Sequence, residues 1–307
     1  MTGRAEGPGP RAWTPAALDE EDWLVPWSPG PTGPPGATNP TGPTGPTDGP
    51  QTEDDPTARI AHALRHGPGL ALVRGLELNG LGDPECAELC RRLAARLGTV
   101  LPLPAGPSAD DLLTAETAPA VELSAADRAA QREGDARTLD PHTDRSYGPE
   151  SPWLLGLLCI RPARAGGESL LVSGRAVHDR LAARDPSALH HLYQDFHFGR
   201  GPDFDRVSPV FQQRRHGLHV QYNRYWIERG QQEADRPLPP ERRAALDTLH
   251  EVLTDPGMVL RVPLRRGDLL FVDNTAVLHG RTGFSDPAGP GERRCLARVW
   301  ADRPADR

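Results

Sequence analysis

The stretch GDLLFVDNTAVLHGR, from Gly267 to Arg281, decides the fold. Its apolar run over 268–272 is too short for a typical helix and predicts a strand. Asp273-Asn274 then predicts a turn that aligns the following segment, which closes on His279-Gly280-Arg281. The stretch therefore combines a predicted strand and turn with a histidine that is a candidate for chemistry.

Short apolar segments of this kind recur between turn signals along the chain. They lie at residues 69–78, 153–160, 169–172, 218–222, 258–262 and 295–300. Many short strands with few long helices indicate a mainly β protein with flanking helices, built as a sandwich or a barrel.

Three helices are predicted around these strands. The first covers 60–66, and the second covers 84–97, with Asp83 as its N-cap and Gly98 at its end. The third covers 240–253 and has an apolar face suited to packing on the outside of a sheet.

The composition excludes several classes of chemistry. All 35 basic residues of the 307 are arginine, so a pyridoxal Schiff base, a Walker A lysine and a lysine nucleophile are absent. A net charge of -7 argues against a nucleic-acid partner. No apolar run approaches the roughly 18 residues of a membrane helix, and no secretory signal is visible. We therefore expect a cytoplasmic protein with reduced cysteines.

The chain divides at about Pro56. Residues 26–50 are rich in Pro, Gly and Thr, and we expect residues 1–55 to form a disordered tail before a single domain over 56–307. The tail contains an apolar cluster that could dock on the domain or on a partner. Its members are Trp13, Leu18, Trp23, Leu24 and Trp27. A separate hypothesis takes the proline-rich tail itself as a docking arm for a carrier protein or a partner enzyme.

A second short motif, Pro141-His142-Thr143-Asp144, supplies candidate metal ligands. On a strand, residues two apart face the same side, so His142 and Asp144 can present an imidazole and a carboxylate to one site. A distant second histidine would complete a set of two histidines and one carboxylate. Such a set leaves one face of the metal open, as in non-haem Fe(II) oxygenases.

The two motifs occur within segments that resemble a known enzyme family. The segments are RTLDPHTDRSYGPESPWLLGLLCIRPARAGGESLLVSG (137–174), GDLLFVDNTAVLHGRTGF (267–284) and ERRCLARVW (292–300). Together they resemble the Fe(II)/2-oxoglutarate-dependent oxygenases of the taurine dioxygenase and clavaminate synthase type, over roughly residues 69–300. This resemblance implies a double-stranded β-helix, or jelly roll, with His142, Asp144 and His279 as the iron ligands.

The resemblance also implies how 2-oxoglutarate and substrate are bound. The family places an arginine for the distal carboxylate of 2-oxoglutarate after the distal histidine, and Arg294 fits, with Arg293 as second choice. In a chain without lysine, arginine is the only permanent cation for that carboxylate. Ser169 supplies the assisting hydroxyl where the family commonly has threonine. Arg298, four residues beyond Arg294, is expected to hold an anionic group of the substrate.

The predicted function follows from these assignments. We expect an Fe(II)- and 2-oxoglutarate-dependent dioxygenase that uses O₂ to hydroxylate an unactivated C–H of a small amino acid or other carboxylate-bearing metabolite, in natural-product biosynthesis. The carboxylate ligand Asp144 argues against halogenation. The alternatives are a catabolic dioxygenase that cleaves a sulfonate or an aryloxyalkanoate, and a jelly-roll binding protein without turnover.

Overall fold

The computed structural model describes residues 9–27, 55–102, 122–123, 135–136, 138–146, 151–198, 206–286 and 293–304. Within these residues the chain forms short strands and a smaller number of helices. The strands are β1 (Leu24–Pro26), β2 (Leu70–Arg74), β3 (Thr99–Val100), β4 (Glu122–Leu123), β5 (Asp135–Ala136), β6 (Leu139–His142), β7 (Leu154–Arg161), β8 (Ala165–Gly166), β9 (Ser169–Ser173), β10 (Phe196–Phe198), β11 (Arg206–Ser208), β12 (Phe211–Arg214), β13 (Gly217–Val220), β14 (Leu260–Val262), β15 (Leu269–Asp273), β16 (Val277–Arg281), β17 (Phe284–Ser285) and β18 (Cys295–Asp302). The helices are α1 (Pro56–Arg65), α2 (Asp83–Ala95), α3 (Gly174–Arg184), α4 (Pro186–Leu192), α5 (Arg224–Glu233) and α6 (Pro240–Thr254).

Two sheets form the body of the molecule. The larger has the strand order β1-β2-β15-β7-β18-β3, and β4 also pairs with β18. The smaller has the order β14-β9-β16-β6 and is antiparallel throughout. No strand pairing among the described residues joins the two sheets into a closed barrel, and the arrangement is the predicted jelly roll of two facing sheets.

Alternating side chains divide the core into layers. In β18, Leu296 and Trp300 face the space between the sheets, whereas Ala297 and Val299 face the helices α1 and α2. The side chains of the smaller sheet also alternate between its two faces. Its interior-facing residues include Leu171 and Val277, while Val172 and Leu278 pack against α3, α4 and α6. The layers are therefore helix, large sheet, small sheet and helix.

The predicted elements are confirmed with shifted ends. The helix over 240–253 is α6, and its four predicted apolar residues are buried: Leu246, Leu249, Val252 and Leu253. The strand predicted over 69–78 is shorter, because the chain leaves the sheet after Arg74. Asp83 is not an N-cap: it is the first residue of α2, and its carboxylate accepts two bonds from Arg161, at 2.6 and 2.9 Å.

The helices α3, α4 and α5 lie outside the three predicted above, and the caps of α3 and α5 are visible in the sequence. The Ser173 hydroxyl accepts a bond from the Ala176 N–H at the start of α3. The Asn223 side chain does the same for Trp226 at the start of α5. Both are ordinary N-caps that satisfy free backbone donors.

The prediction of a disordered tail over 1–55 is wrong for residues 9–27. Trp13 is 3% exposed within the core between the sheets, and its Nε1–H donates to the Pro68 carbonyl at 2.7 Å. Strand β1 pairs in parallel with β2 and covers that edge of the large sheet. The apolar cluster of the tail thus docks on the domain, because it buries tryptophan side chains there. Residues 1–8 and 28–54, with most of the Pro-rich tract, lie outside the described residues.

Candidate metal centre

Strands β6 and β16 bring the predicted ligands together. They pair antiparallel with His142 directly opposite His279. Residues directly opposite each other in such a pair project to the same face of the sheet. The two imidazole ring centres are accordingly 4.6 Å apart. Strand pairing therefore brings together two histidine side chains that are 137 residues apart in the sequence.

Asp144 completes the cluster from just beyond the end of β6. Its Oδ1 lies 3.3 Å from Nε2 of His279 and 3.5 Å from Nε2 of His142. One ligand atom from each of the three residues lies within 4.8 Å of the others. In the part of the chain that the structure describes, this is the one group of three or more His, Cys, Asp or Glu side chains close enough to hold a metal ion.

The turn at Asp273-Asn274 holds Asp144 in place. The Asp144 backbone N–H donates to the Asn274 side-chain oxygen at 2.7 Å, and the Asn274 amide donates to the Asp144 and Pro152 carbonyls at 3.2 and 2.9 Å. Asn274 is fully buried. The sequence prediction of a structural turn is confirmed, and the turn also fixes the backbone of a candidate ligand.

The protonation states of the cluster suit a metal. Burial alone would raise the pKa of Asp144, but the charge of Arg298 and the contacts with His279 and His142 outweigh it and hold that pKa well below its ordinary value. Burial lowers the pKa of His279, and the attraction of Asp144 offsets only part of that shift. An ionised carboxylate beside a neutral imidazole is the donor set that a divalent metal requires. The residues present therefore fit Fe(II).

The second oxygen of Asp144 is bound by β18. Trp300 donates its indole N–H to Oδ2 at 2.7 Å, and Arg298 Nη1 donates to the same atom at 3.3 Å. Sequence reasoning missed Trp300. The signal was its position two residues after Arg298, which places both side chains on the interior face of the strand.

Arg294 lies on the same side of the large sheet as Leu296, towards the space between the sheets. It is 4% exposed and lines a cavity of about 480 Å³ together with Gly167, Glu168 and Leu296. Its guanidinium lies 5.1 Å from the centre of the Phe284 ring, and its backbone N–H donates to Asp286. Arg293, the second choice, is less buried than Arg294, and its carbonyl accepts a bond from Arg161.

Ser169 lies at the start of β9, opposite Arg281 of β16. It is 3% exposed, and it shares the face of its strand with Leu171, whose side chain is in the core between the sheets. Leu171 is directly opposite His279 in the paired strand β16. The Ser169 side chain therefore faces the same space between the two sheets as His279.

These features define a class of protein: a jelly roll with two histidines and one carboxylate gathered between its sheets. The family model "Taurine catabolism dioxygenase TauD, TfdA family" matches residues 33–300, and the chain belongs to this family. It is therefore an Fe(II)- and 2-oxoglutarate-dependent dioxygenase that also uses O₂, which confirms the predicted enzyme class and cofactors.

Two curated relatives and one solved structure illustrate the similarity. FR-33289 synthase of Streptomyces rubellomurinus is 24% identical, over 79% of this chain and 71% of that protein. A uridine-5'-phosphate dioxygenase of Streptomyces sp is 31% identical, over 46% of this chain and 53% of that protein. An asparagine oxygenase solved with Fe(II), 3-hydroxyasparagine and succinate has a TM-score of 0.52 at 19% identity, covering 76% of this chain and 74% of that one.

None of the helices in the described residues is long and apolar enough to cross a bilayer.

Proposed function

We propose that His142, Asp144 and His279 bind the Fe(II), and that the enzyme hydroxylates an unactivated C–H of a small amino acid or another carboxylate-bearing metabolite. The single observation that carries this proposal is the convergence of Asp144 Oδ1 on both imidazole Nε2 atoms, at 3.3 and 3.5 Å. Iron, 2-oxoglutarate and O₂ supply the oxidising power, and the protein residues bind, orient and exclude water.

Arg294 and Ser169 are assigned to the distal carboxylate of 2-oxoglutarate. A buried guanidinium that faces a cavity binds a carboxylate through two parallel hydrogen bonds, and no lysine competes for that role in this chain. Ser169 supports the assignment because its buried side chain faces the same interior.

Arg298 is assigned to an acidic group of the substrate. Its guanidinium already contacts Asp144 Oδ2, so an anion bound to Arg298 would lie beside the proposed iron ligand. The names of similar proteins support an acidic or amino-acid substrate in natural-product biosynthesis: one is a synthase, one acts on a nucleotide phosphate, and one was solved with a hydroxylated amino acid.

The first test is an anaerobic titration of the purified protein with Fe(II) and then with 2-oxoglutarate. We expect the visible metal-to-ligand charge-transfer band of a chelated keto acid. The Arg294→Gln variant should develop the same band only at higher 2-oxoglutarate concentrations, because it keeps the metal ligands and loses the distal cation. A folded, iron-loaded wild-type protein without the band would contradict the site assignment. Amino acids and small acids would then be screened by succinate release.

The same screen distinguishes the proposed hydroxylation from the catabolic alternative, which the name of the family, taurine catabolism dioxygenase, also suggests. Hydroxylation next to a sulfonate or an aryl ether gives an unstable product that collapses to an aldehyde or a ketone. Release of sulfite or of a phenol would therefore indicate cleavage, whereas a stable hydroxylated amino acid supports the proposed hydroxylation.

We also place the enzyme in the cytoplasm, and we propose that residues 28–54 serve as an arm for a carrier protein or partner enzyme. The four cysteines are buried thiols, which suits a reducing compartment. Residues 9–27 are excluded from the arm because they pack on the domain. Deleting residues 30–50 tests the arm: unchanged turnover with the true substrate and its carrier would rule it out.

A further inference from the structure

The two oxygens of the Asp144 carboxylate have different surroundings. Oδ1 faces the two imidazoles, at 3.3 and 3.5 Å from their Nε2 atoms. Oδ2 is turned towards β18, where Trp300 and Arg298 donate to it. The carboxylate is therefore oriented by contacts to the oxygen that does not face the histidines.

Of the two donors, Trp300 makes the shorter bond. Its Nε1 is 2.7 Å from Oδ2, whereas Arg298 Nη1 is 3.3 Å away. Trp300 is 4% exposed and lies in the core between the sheets, so its ring is fixed by packing. The Arg298 and Arg145 guanidinium groups lie 5.4 and 5.5 Å from the centre of that ring. The indole is thus the fixed donor, and Arg298 is a longer and more flexible side chain.

We propose that Trp300 is a positioning residue for the iron site: its indole N–H holds Oδ2 of Asp144 so that Oδ1 alone is presented to the metal. This inference rests on the proposed role of His142, Asp144 and His279. In this arrangement Arg298 can bind the acidic group of a substrate while Asp144 stays oriented, since Trp300 keeps its bond to Oδ2.

The chemistry of an indole suits this task. Its N–H donates a single hydrogen bond and does not ionise, so it orients the carboxylate without adding a charge that competes with Fe(II). Partners that hydrogen-bond to metal ligands commonly change metal affinity about 10–100-fold when they are removed. An effect of that size is measurable without any substrate.

The test compares Trp300→Phe with a matched control elsewhere in the same protein. Trp13 is also buried, at 3% exposed in the core between the sheets, and its indole donates to the Pro68 carbonyl at 2.7 Å. Trp13→Phe therefore removes an indole hydrogen bond of the same length from a backbone carbonyl that is not part of the candidate metal centre. Both variants would be titrated anaerobically with Fe(II), and with Co(II), whose visible d–d spectrum reports the ligand set. Thermal unfolding of the metal-free proteins measures the loss of stability separately.

We expect Trp300→Phe to weaken Fe(II) and Co(II) binding about 10–100-fold and to change the Co(II) spectrum. Trp13→Phe should bind both metals within about threefold of wild type, even if its unfolding temperature falls as much as that of Trp300→Phe. If Trp300→Phe does not fold, benzothienylalanine at position 300 keeps the ring size and removes only the N–H.

Two results would overturn the inference. One is metal binding by the Trp300 variant within about threefold of wild type with an unchanged Co(II) spectrum. The other is an equal loss of affinity in the Trp13→Phe control, which would show a general effect of core damage. Failure of the proposed iron site would give a different result from failure of the Trp300 inference, because wild-type protein would then bind neither metal in a 1:1 ratio.

Discussion

At the scale of single residues, Asp144 links the candidate metal centre to the fold. Its backbone is bound by Asn274, one carboxylate oxygen faces the histidines, and the other is held by β18. Contacts from three separate parts of the chain thus determine the orientation of one side chain. A carboxylate fixed in this way is preorganised to bind a metal, because little ordering remains to be done on binding.

Asp144→Asn should sharply reduce metal binding. The change keeps the size of the side chain and removes the negative charge, so we expect Co(II) affinity to fall by at least the roughly 10–100-fold typical of lost supporting partners. Isothermal titration of the metal-free protein measures it. Asp179→Asn is the control, since Asp179 also contacts a histidine, His178 at 3.3 Å, but does so at the surface. Equal affinities in the two variants would contradict the assignment.

Gly167→Ala should weaken 2-oxoglutarate binding. A Cβ at Gly167 would lie 3.1 Å from Arg294 Nε and 3.3 Å from its Cδ, so the guanidinium must shift. We expect the KM for 2-oxoglutarate to rise about tenfold, the effect of losing about 1.4 kcal/mol of binding.

Gly80→Ala controls for backbone strain in this experiment. Gly80 has φ +77°, close to the +74° of Gly167, but no atom lies within 4 Å of its added Cβ. Both variants should lose similar stability, since both place a side chain in the left-handed region. A KM that rises equally in both would show that the contact with Arg294 is not the cause.

At the scale of elements, the segment over residues 9–27 behaves as part of the domain. Trp13 and Trp23 contribute to the core between the sheets, and β1 extends the large sheet. The segment is therefore part of the folded domain.

Trp13→Ala should therefore destabilise the whole domain. Truncating a buried tryptophan typically costs about 3–5 kcal/mol, and here it also removes the donor to the Pro68 carbonyl. Urea unfolding followed by circular dichroism measures the change. Leu81→Ala, which truncates an apolar side chain that is 37% exposed, is the comparison and should change the free energy of unfolding far less. Full stability of the Trp13 variant would show that the segment is a loosely attached tail.

At the scale of the whole molecule, His219 makes stability depend on pH. Burial, together with the positive charges of Arg214, Arg206 and Arg303, lowers its pKa from 6.5 to about 3. The unfolded chain then binds a proton below pH 6.5 that the folded chain does not, so acid favours unfolding. The stabilising effect is complete above pH 6.5 and is lost progressively as the pH falls towards 3.

Between pH 7 and pH 5 this one residue should reduce the free energy of unfolding by about 2 kcal/mol. Urea unfolding at several pH values measures the loss. His219→Gln should remove that part of the pH dependence while leaving the contributions of other groups in place. Identical pH profiles for wild type and variant would contradict the assignment.

Much of the fold follows from the sequence because its signals are local. Short apolar runs between turn signals place the strands, and the apolar face of α6 places that helix. The N-cap residues Ser173 and Asn223 are equally local signals and would have predicted the helices α3 and α5. The tail was mispredicted because composition measures the average of a segment, whereas docking depends on a few large apolar side chains such as Trp13 and Trp23.

The sequence by itself determined the motifs at 141–144, 267–281 and 292–300, and through them the family and the candidate ligands. Only the tertiary structure decided that Trp300 and Arg298 share one oxygen of Asp144, that Asn274 holds the backbone of that residue, and that residues 9–27 close one edge of the large sheet. The physical reason is that strand register and burial set these contacts between residues more than 100 positions apart or on separate elements, where no local pattern records them.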